Sequence, residues 1–363
     1  MARKNLKPLK RGKLRASYVC ECGAVIQDTS QIAFALPNDL RTDDLAFVTT
    51  EQKELNLYVS PEFKEMIGVY EDRTLRSKYC AECHALLPEN VGQIKTFKVA
   101  ILGRKGSGKT VYTLGLTDLI RGSINRFPAA EKEGFLMTME TYHSAQCKRY
   151  LHMLSEMKSG GKYPDPTPVL ARELHLSYKV ENHRLQSVVN LLFYDLHGEI
   201  GNQTFRRDSS VNYADAIFFV VDATDLNSQE AMAENEDYLR NLFLSMDRKV
   251  PVYVILTKTD TLTGKNELTA ANSLREQANG SYTSVHASGF SFKEYEKNKK
   301  LAMEFLDEGK VKLLPMIKRY LNASIVYPFA VSVINGNHAY FSVEQPLLHL
   351  LARSELYPSK GGC

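Results

Sequence analysis

No apolar run in this chain is long enough to cross a bilayer. A spanning helix needs about 20 apolar residues, whereas the longest stretches here, such as Ala216 to Val221 and Val252 to Leu256, stop after five or six. The start, Met1-Ala2-Arg3-Lys4, leads into further basic residues instead of the apolar segment of a signal peptide, so the cytosol is the expected compartment. Acidic residues are missing from the first fifteen positions, against seven basic ones: Arg3, Lys4, Lys7, Lys10, Arg11, Lys13 and Arg15. Subtracting those seven from the net charge of +4 leaves −3, so the basicity is local. Two readings of this arm stand: a disordered solubilising tail, or a segment that binds nucleic acid, an anionic surface or an acidic partner through counterion release. The arm carries neither the aromatic stacking groups nor the recognition helix of a sequence-specific nucleic-acid binder. No internal repeat is present, and no low-complexity tract beyond the arm.

What is present is concentrated in a few short motifs. The run Gly103-Arg104-Lys105-Gly106-Ser107-Gly108-Lys109-Thr110 follows the apolar stretch Phe97 to Leu102 and precedes a helical pattern from Val111 to Ile120. Its spacing is that of a phosphate-binding loop. Glycines let the backbone wrap with N–H groups inward, Lys109 can reach β- and γ-phosphates, and Thr110 can offer its hydroxyl to Mg²⁺. The helix adds a positive dipole end at the phosphates.

Two more strand ends narrow the choice of nucleotide. Asn190 to Glu199 reads as an apolar strand ending in Asp195, with Gly198 three residues on. An aspartate there can hold Mg²⁺ through water, and a Gly198 N–H can sense a γ-phosphate. Val252 to Asp260 is a buried strand ending in Thr257-Lys258-Thr259-Asp260. The Asp260 carboxylate can accept from the N1–H and exocyclic amine of guanine, whereas adenine presents an acceptor at N1. GTP is therefore favoured over ATP. A third end, Phe329-Ala330-Val331-Ser332, lets backbone amides approach the base carbonyl, with Ser332 at its close.

Together these residues resemble the P-loop GTPases with a Ras-like G domain, in their translation-factor-related class. More narrowly, the chain is similar to the bacterial double-GTPase proteins found near conflict and signalling operons, in which a zinc ribbon can precede a divergent G domain. The resemblance implies an α/β fold with a doubly wound, mostly parallel sheet, binding GTP/GDP with Mg²⁺, hydrolysing GTP and signalling to a protein effector. It also implies a switch threonine between the phosphate loop and Asp195, for which Thr167, in Tyr163-Pro164-Asp165-Pro166-Thr167-Pro168, is the match. Two positions depart from the pattern. Glu199 stands where many relatives place a water-orienting glutamine, and Lys105 where they place a small glycine. Intrinsic hydrolysis is thereby put in question, and a GTP-bound scaffold with negligible turnover remains the alternative, beside a nucleic-acid-associated factor using the basic arm and the zinc module.

The cysteines define a second module. Cys20 and Cys22, and Cys80 and Cys83, form two close pairs separated by 57 residues. Each pair can supply two thiolates from one turn to a structural Zn²⁺, and a cytosolic chain favours metal over disulfides. His84 is a substitute ligand. Cys363 ends the chain in a position that does not match a prenylation motif.

The expected organisation is a basic arm over 1–15, a zinc-ribbon-like module over 16–93, a G domain over 94–357 and a tail over 358–363. The module should carry small strands at Phe34 to Leu36 and Leu55 to Tyr58. Within the G domain, Ala171 to Val180 and Leu185 to Asp195 should form a hairpin. An insertion at about 127–160 should be helical from Met137 to Lys158. Asp215 to Asp222 should be a strand and Leu226 to Phe243 a helix. Ser342 to Gln345 reads as a capping box for the last helix.

Overall fold

The computed structural model describes residues 13–20, 24–37, 45–49, 78–84, 86–88, 90–122, 124–126, 128–139, 144–160, 174–195, 213–243, 249–262, 269–279, 290–308, 313–320, 325–334, 339–357 and 359–360. The chain divides into two compact units, one made chiefly of residues up to Thr96 and one of residues from Phe97 onward.

The first unit is built from short antiparallel strands. Lys13–Val19 (β1) pairs with Val25–Asp28 (β2). Asp28 then reverses the chain: its carboxylate accepts the Ser30 N–H at 2.9 Å while Gln31 Oε1 accepts the Asp28 N–H at 3.0 Å, a reciprocal cap over one tight turn. Ile32–Pro37 (β3), which contains the expected strand at Phe34 to Leu36, lies between Leu45–Thr49 (β4) and Lys78–Cys80 (β5), with Leu86–Leu87 (β6) beyond β5. Leu14, Tyr18, Ile26, Ile32, Leu87 and Val91 bury a small core around Cys20 and Cys80. The segment Leu55 to Tyr58 lies outside the described residues.

The second unit is organised by a seven-stranded sheet. Lys95–Leu102 (β7) sits at its centre. On one side run Ala216–Asp222 (β11), Val252–Thr257 (β12) and Val326–Ala330 (β14), each parallel to its neighbour. Every residue of β11 and β12 is buried, as strands covered on both faces require. On the other side of β7 lies Ser187–Asp195 (β10), paired antiparallel with Leu174–Asn182 (β9) across a turn at 183–186. The expected hairpin is therefore present. The chain moves from β7 to one side and then crosses to the other, so the strand order reverses at β7, where ligand crevices of open α/β sheets form.

Helices connect the strands. Lys109–Gly122 (α1) follows β7, Gln229–Phe243 (α4) follows β11, and Thr269–Asn279 (α5), the two-residue strand Phe290–Ser291 (β13), Phe292–Glu308 (α6) and Leu313–Tyr320 (α7) lie between β12 and β14. The expected helix from Leu226 begins three residues later, because Asp222 caps a 3₁₀ turn, accepting the Thr224 N–H at 2.9 Å. No helix among the described residues is long and apolar enough to cross a membrane.

Two expectations are corrected. The helix from Met137 to Lys158 is in fact a strand, Phe135–Met139 (β8), followed by a helix over Ser144–Gly160 (α3). Phe135 and Met137 are buried while Leu136 and Thr138 are exposed, a period of two that matches antiparallel pairing with β9. Gly134, in the left-handed region at φ 61°, stops the short helix Pro128–Glu133 (α2) just before it. The capping box also fails. Ser342 has φ 54°, so the last helix, Gln345–Arg353 (α8), takes Glu344 as its N-cap with no side-chain cap bond and relies on Pro346 in its first turn.

Candidate functional site

The loop from Gly103 to Gly108 leaves β7 and turns directly into α1. Gly103 cannot be another residue here: at φ 151°, a Cβ would stand 2.2 Å from the Val220 carbonyl oxygen of β11. Gly106 and Gly108 are also left-handed, at φ 81° and 87°. Lys109 is buried, and its ammonium donates to the Gly103 carbonyl at 2.5 Å and the Arg104 carbonyl at 3.0 Å. The Ser107 hydroxyl is buried with no hydrogen-bond partner among the described residues. Lys105 is exposed, and Thr110 is half-buried at the start of α1.

The segment after β12 is tied into this loop. Thr257 Oγ1 donates to the Ser107 carbonyl at 2.7 Å and lies 3.2 Å from the Val221 carbonyl. Lys258 adopts the left-handed conformation at φ 56°, which carries its ammonium back to the Gly106 carbonyl at 3.1 Å and to Asp222 Oδ2 at 2.5 Å. Two residues on, Asp260 accepts the Ser332 hydroxyl from the segment after β14. Thr259 Oγ1 reaches the Val331 carbonyl at 3.1 Å, and the Val331 N–H reaches the Leu256 carbonyl at 2.8 Å. The short segment Lys258 to Asp260 thus contacts Gly106 at one end and Ser332 at the other. Asp195 ends β10, beside β7 in the sheet. Thr167, Gly198 and Glu199 lie outside the described residues.

In the first unit, the sulfurs of Cys20, Cys80 and Cys83 lie within 4.8 Å of one another, and Cys20 Sγ is 3.5 Å from Cys83 Sγ. Thiolates around one tetrahedral zinc stand about 3.8 Å apart, given Zn–S bonds near 2.3 Å. Cys20 closes the β1–β2 turn, its N–H donating to the Ala24 carbonyl at 2.8 Å, and the Cys80 carbonyl accepts the His84 N–H at 2.9 Å. The Cys80–Cys83 pair therefore sits on a tight turn. Cys22 lies outside the described residues, and His84 is exposed and not part of the cluster.

A family model described as Double-GTPase 2 matches residues 98–307, more than half of the chain. The chain belongs to the Double-GTPase 2 family. It is a P-loop GTPase of double-GTPase type, with the sheet and glycine loop that such a protein requires. Among solved structures it is similar to the bacterial selenocysteine-specific elongation factor EF-Sec, at 14% identity and a TM-score of 0.30, over 72% of this chain and 29% of that one. The chain thus spans well under half the length of that factor. It is similar also to the signal recognition particle receptor SRb-GTP/SRX complex from Chaetomium thermophilum, at 14% identity and a TM-score of 0.35, over 71% of this chain and 98% of that one. No curated protein matches it.

Sequence reasoning passed over several residues that brace the loop of this double-GTPase family member. Asp222 ends β11 and uses one carboxylate oxygen for Thr224 and the other for Lys258. Its signal was available, since an acid at the end of a fully buried strand points into the crevice edge. Arg104, Asp225 and Tyr238 carried no such signal, because their contacts span more than a hundred residues. Behind the loop, burial and the nearby Glu344 push the Tyr112 phenol of α1 above its ordinary range, so it stays neutral.

Proposed function

We propose that this chain is a guanine-nucleotide switch that hydrolyses GTP to GDP and phosphate and signals through its loops to a protein effector. The observation that carries this reading is that the segment Lys258 to Asp260 touches the phosphate loop at Gly106 and the segment after β14 at Ser332, which supports one site for a phosphate chain and a base. The orphaned Ser107 hydroxyl supports a polyphosphate in the loop, since a buried hydroxyl is costly without a partner. Asp260 reads the guanine edge, while Thr257 and Lys258 brace the loop. Gly103, Lys105, Gly106, Ser107, Gly108 and Lys109 surround the phosphates.

Thr110, Thr167 and Asp195 supply hard oxygen donors of the kind Mg²⁺ takes. That ion, when bound, neutralises charge on the phosphates. In the reaction, a water oxygen bonds to the γ-phosphorus as the bond to the β–γ bridging oxygen breaks. One water proton stays on the phosphate product and the other passes to solvent. Lys109 and the loop amides stabilise the charge that develops. Glu199 orients or polarises the water, and the γ-phosphate orders the Thr167 and Gly198 segments.

Cys20, Cys80 and Cys83, with Cys22 as fourth ligand, hold a structural Zn²⁺ in the module at 16–93, ahead of the G domain at 94–357. The convergence of three thiols supports that donor set. The protein works in the cytosol, within a bacterial conflict or signalling setting.

The test is to denature the purified protein, identify the released nucleotide and metals by mass spectrometry, and follow phosphate release in a single turnover. Bound GDP or GTP with phosphate release above the buffer rate supports the switch. Bound GTP with no release, even with effectors present, supports the scaffold, and bound adenine nucleotide contradicts both.

A further inference from the structure

The first turn of the phosphate loop is held from outside as well as from within. The Gly103 N–H donates to the Tyr238 hydroxyl of α4 at 3.1 Å, in a buried contact. The next residue, Arg104, turns its guanidinium away from the loop interior and forks onto Asp225, with Nε to Oδ2 at 2.9 Å and Nη2 to Oδ1 at 3.0 Å. Its remaining nitrogen pairs with Glu234 of α4. Asp225 is buried, and the side-chain amide of Asn235 approaches its Oδ2 at 3.4 Å while donating to the Ala231 carbonyl at 2.9 Å. Tyr238 is fixed in turn by stacking on Phe219 of β11, with ring centroids 6.2 Å apart.

The inner side of the same turn carries the phosphate-facing chemistry. The carbonyls of Gly103 and Arg104 are the two that receive the Lys109 ammonium. One pair of peptide units is therefore clamped on its outer side by α4 and on its inner side bears the loop's cation. A fork of two charge-assisted bonds to a buried carboxylate fixes orientation far better than a single bond, and displacements of about 1 Å in a reactive loop are costly.

We propose that Asp225 and Tyr238 are positioning residues of the nucleotide site, holding the Gly103–Arg104 turn so that Lys109 and the loop amides meet the phosphates preset, and thereby governing how long a bound nucleotide stays. This rests on the guanine-nucleotide reading above. Neither residue needs to touch the nucleotide. Both act through the backbone of the loop, which makes α4 and the 3₁₀ turn just before it the elements whose position sets nucleotide release.

The test is stopped-flow dissociation of fluorescent N-methylanthraniloyl-GDP from the full chain, chased with excess GDP, in wild type, Tyr238→Phe, Asp225→Asn, Arg104→Ala and the Arg104→Ala/Asp225→Asn double variant. Tyr238→Phe removes a single oxygen and keeps the assay informative if an Asp225 variant does not fold. The expected result is release about tenfold faster in each single variant, with the double variant no faster than Arg104→Ala alone. The control is Tyr340→Phe, which removes the 2.7 Å bond to Asp118 on the far part of α1 and should release at the wild-type rate whatever it does to melting temperature. Release within twofold of wild type in Tyr238→Phe and in the Asp225 and Arg104 variants that fold overturns the inference, as does equal acceleration in Tyr340→Phe. A wild type that holds no guanine nucleotide overturns the reading beneath it and this inference with it; a wild type that holds one, with unaltered variants, overturns this inference alone.

Discussion

Lys258 Nζ lies 2.5 Å from Asp222 Oδ2, at the ends of two adjacent parallel strands. The pair sits where β11 and β12 deliver their loops to the crevice, and the same ammonium reaches the Gly106 carbonyl. Replacing Lys258 with alanine should leave a nearly buried carboxylate without its main cation and release the glycine turn. The Lys258 side chain is close to half exposed, so solvent screening limits the loss to about 1 kcal/mol in unfolding free energy. Nucleotide affinity should fall more than stability does, and urea unfolding beside equilibrium titration separates the two.

Gly103→Ala should be far more damaging than Gly106→Ala. Both residues are left-handed, but an added Cβ meets backbone at Gly103 and open space at Gly106. The first should lose nucleotide binding and several kcal/mol of stability through strain and displacement of β11. The second should lose about 1 kcal/mol. Thermal melts of the two variants check the order.

His349 packs among Tyr253, Tyr295, Tyr327 and Phe329, with Arg353 and Lys299 nearby. Burial first, and those cations second, hold its pKa down at about 3. The unfolded chain therefore binds a proton that the folded chain refuses between pH 6.5 and about 3. Stability from this group is complete above pH 6.5 and is lost as pH falls through that window. Relative to a His349→Phe variant, wild type should lose about 3 kcal/mol between pH 7 and pH 4. Denaturation across pH, compared between the two, is the measurement.

The three converging thiols predict about one zinc per chain by elemental analysis. Cys80→Ser, at the buried end of the cluster, should abolish metal retention, and a strong chelator should unfold the first unit while leaving the second unit's melting transition in place. Retention of zinc in Cys80→Ser would argue for a different ligand set.

Where residue types leave the backbone little choice, the fold was legible. The all-apolar stretches that became β11 and β12 cannot face water on either side, and the glycine loop needs left-handed positions that only glycine takes cheaply. The hairpin of β9 and β10 followed from alternation either side of a polar turn. β8 was misread because five residues hold too few repeats to separate a period of two from 3.6 when a true helix, α3, follows closely. The false capping box had the right residues, but Ser342 is left-handed and the helix takes Glu344 as its N-cap instead. The outer clamp on the loop was invisible for another reason: Arg104 and Asp225 meet only once β7, β11 and α4 have packed.

Competition binding tests the central claim most directly. With N-methylanthraniloyl-GDP bound, GTP should displace the probe from wild type at least about 100-fold more effectively than ATP, and Asp260→Asn should shift preference towards xanthosine triphosphate. Equal displacement by ATP and GTP from wild type, or an Asp260→Asn variant with unaltered base preference, would contradict the account.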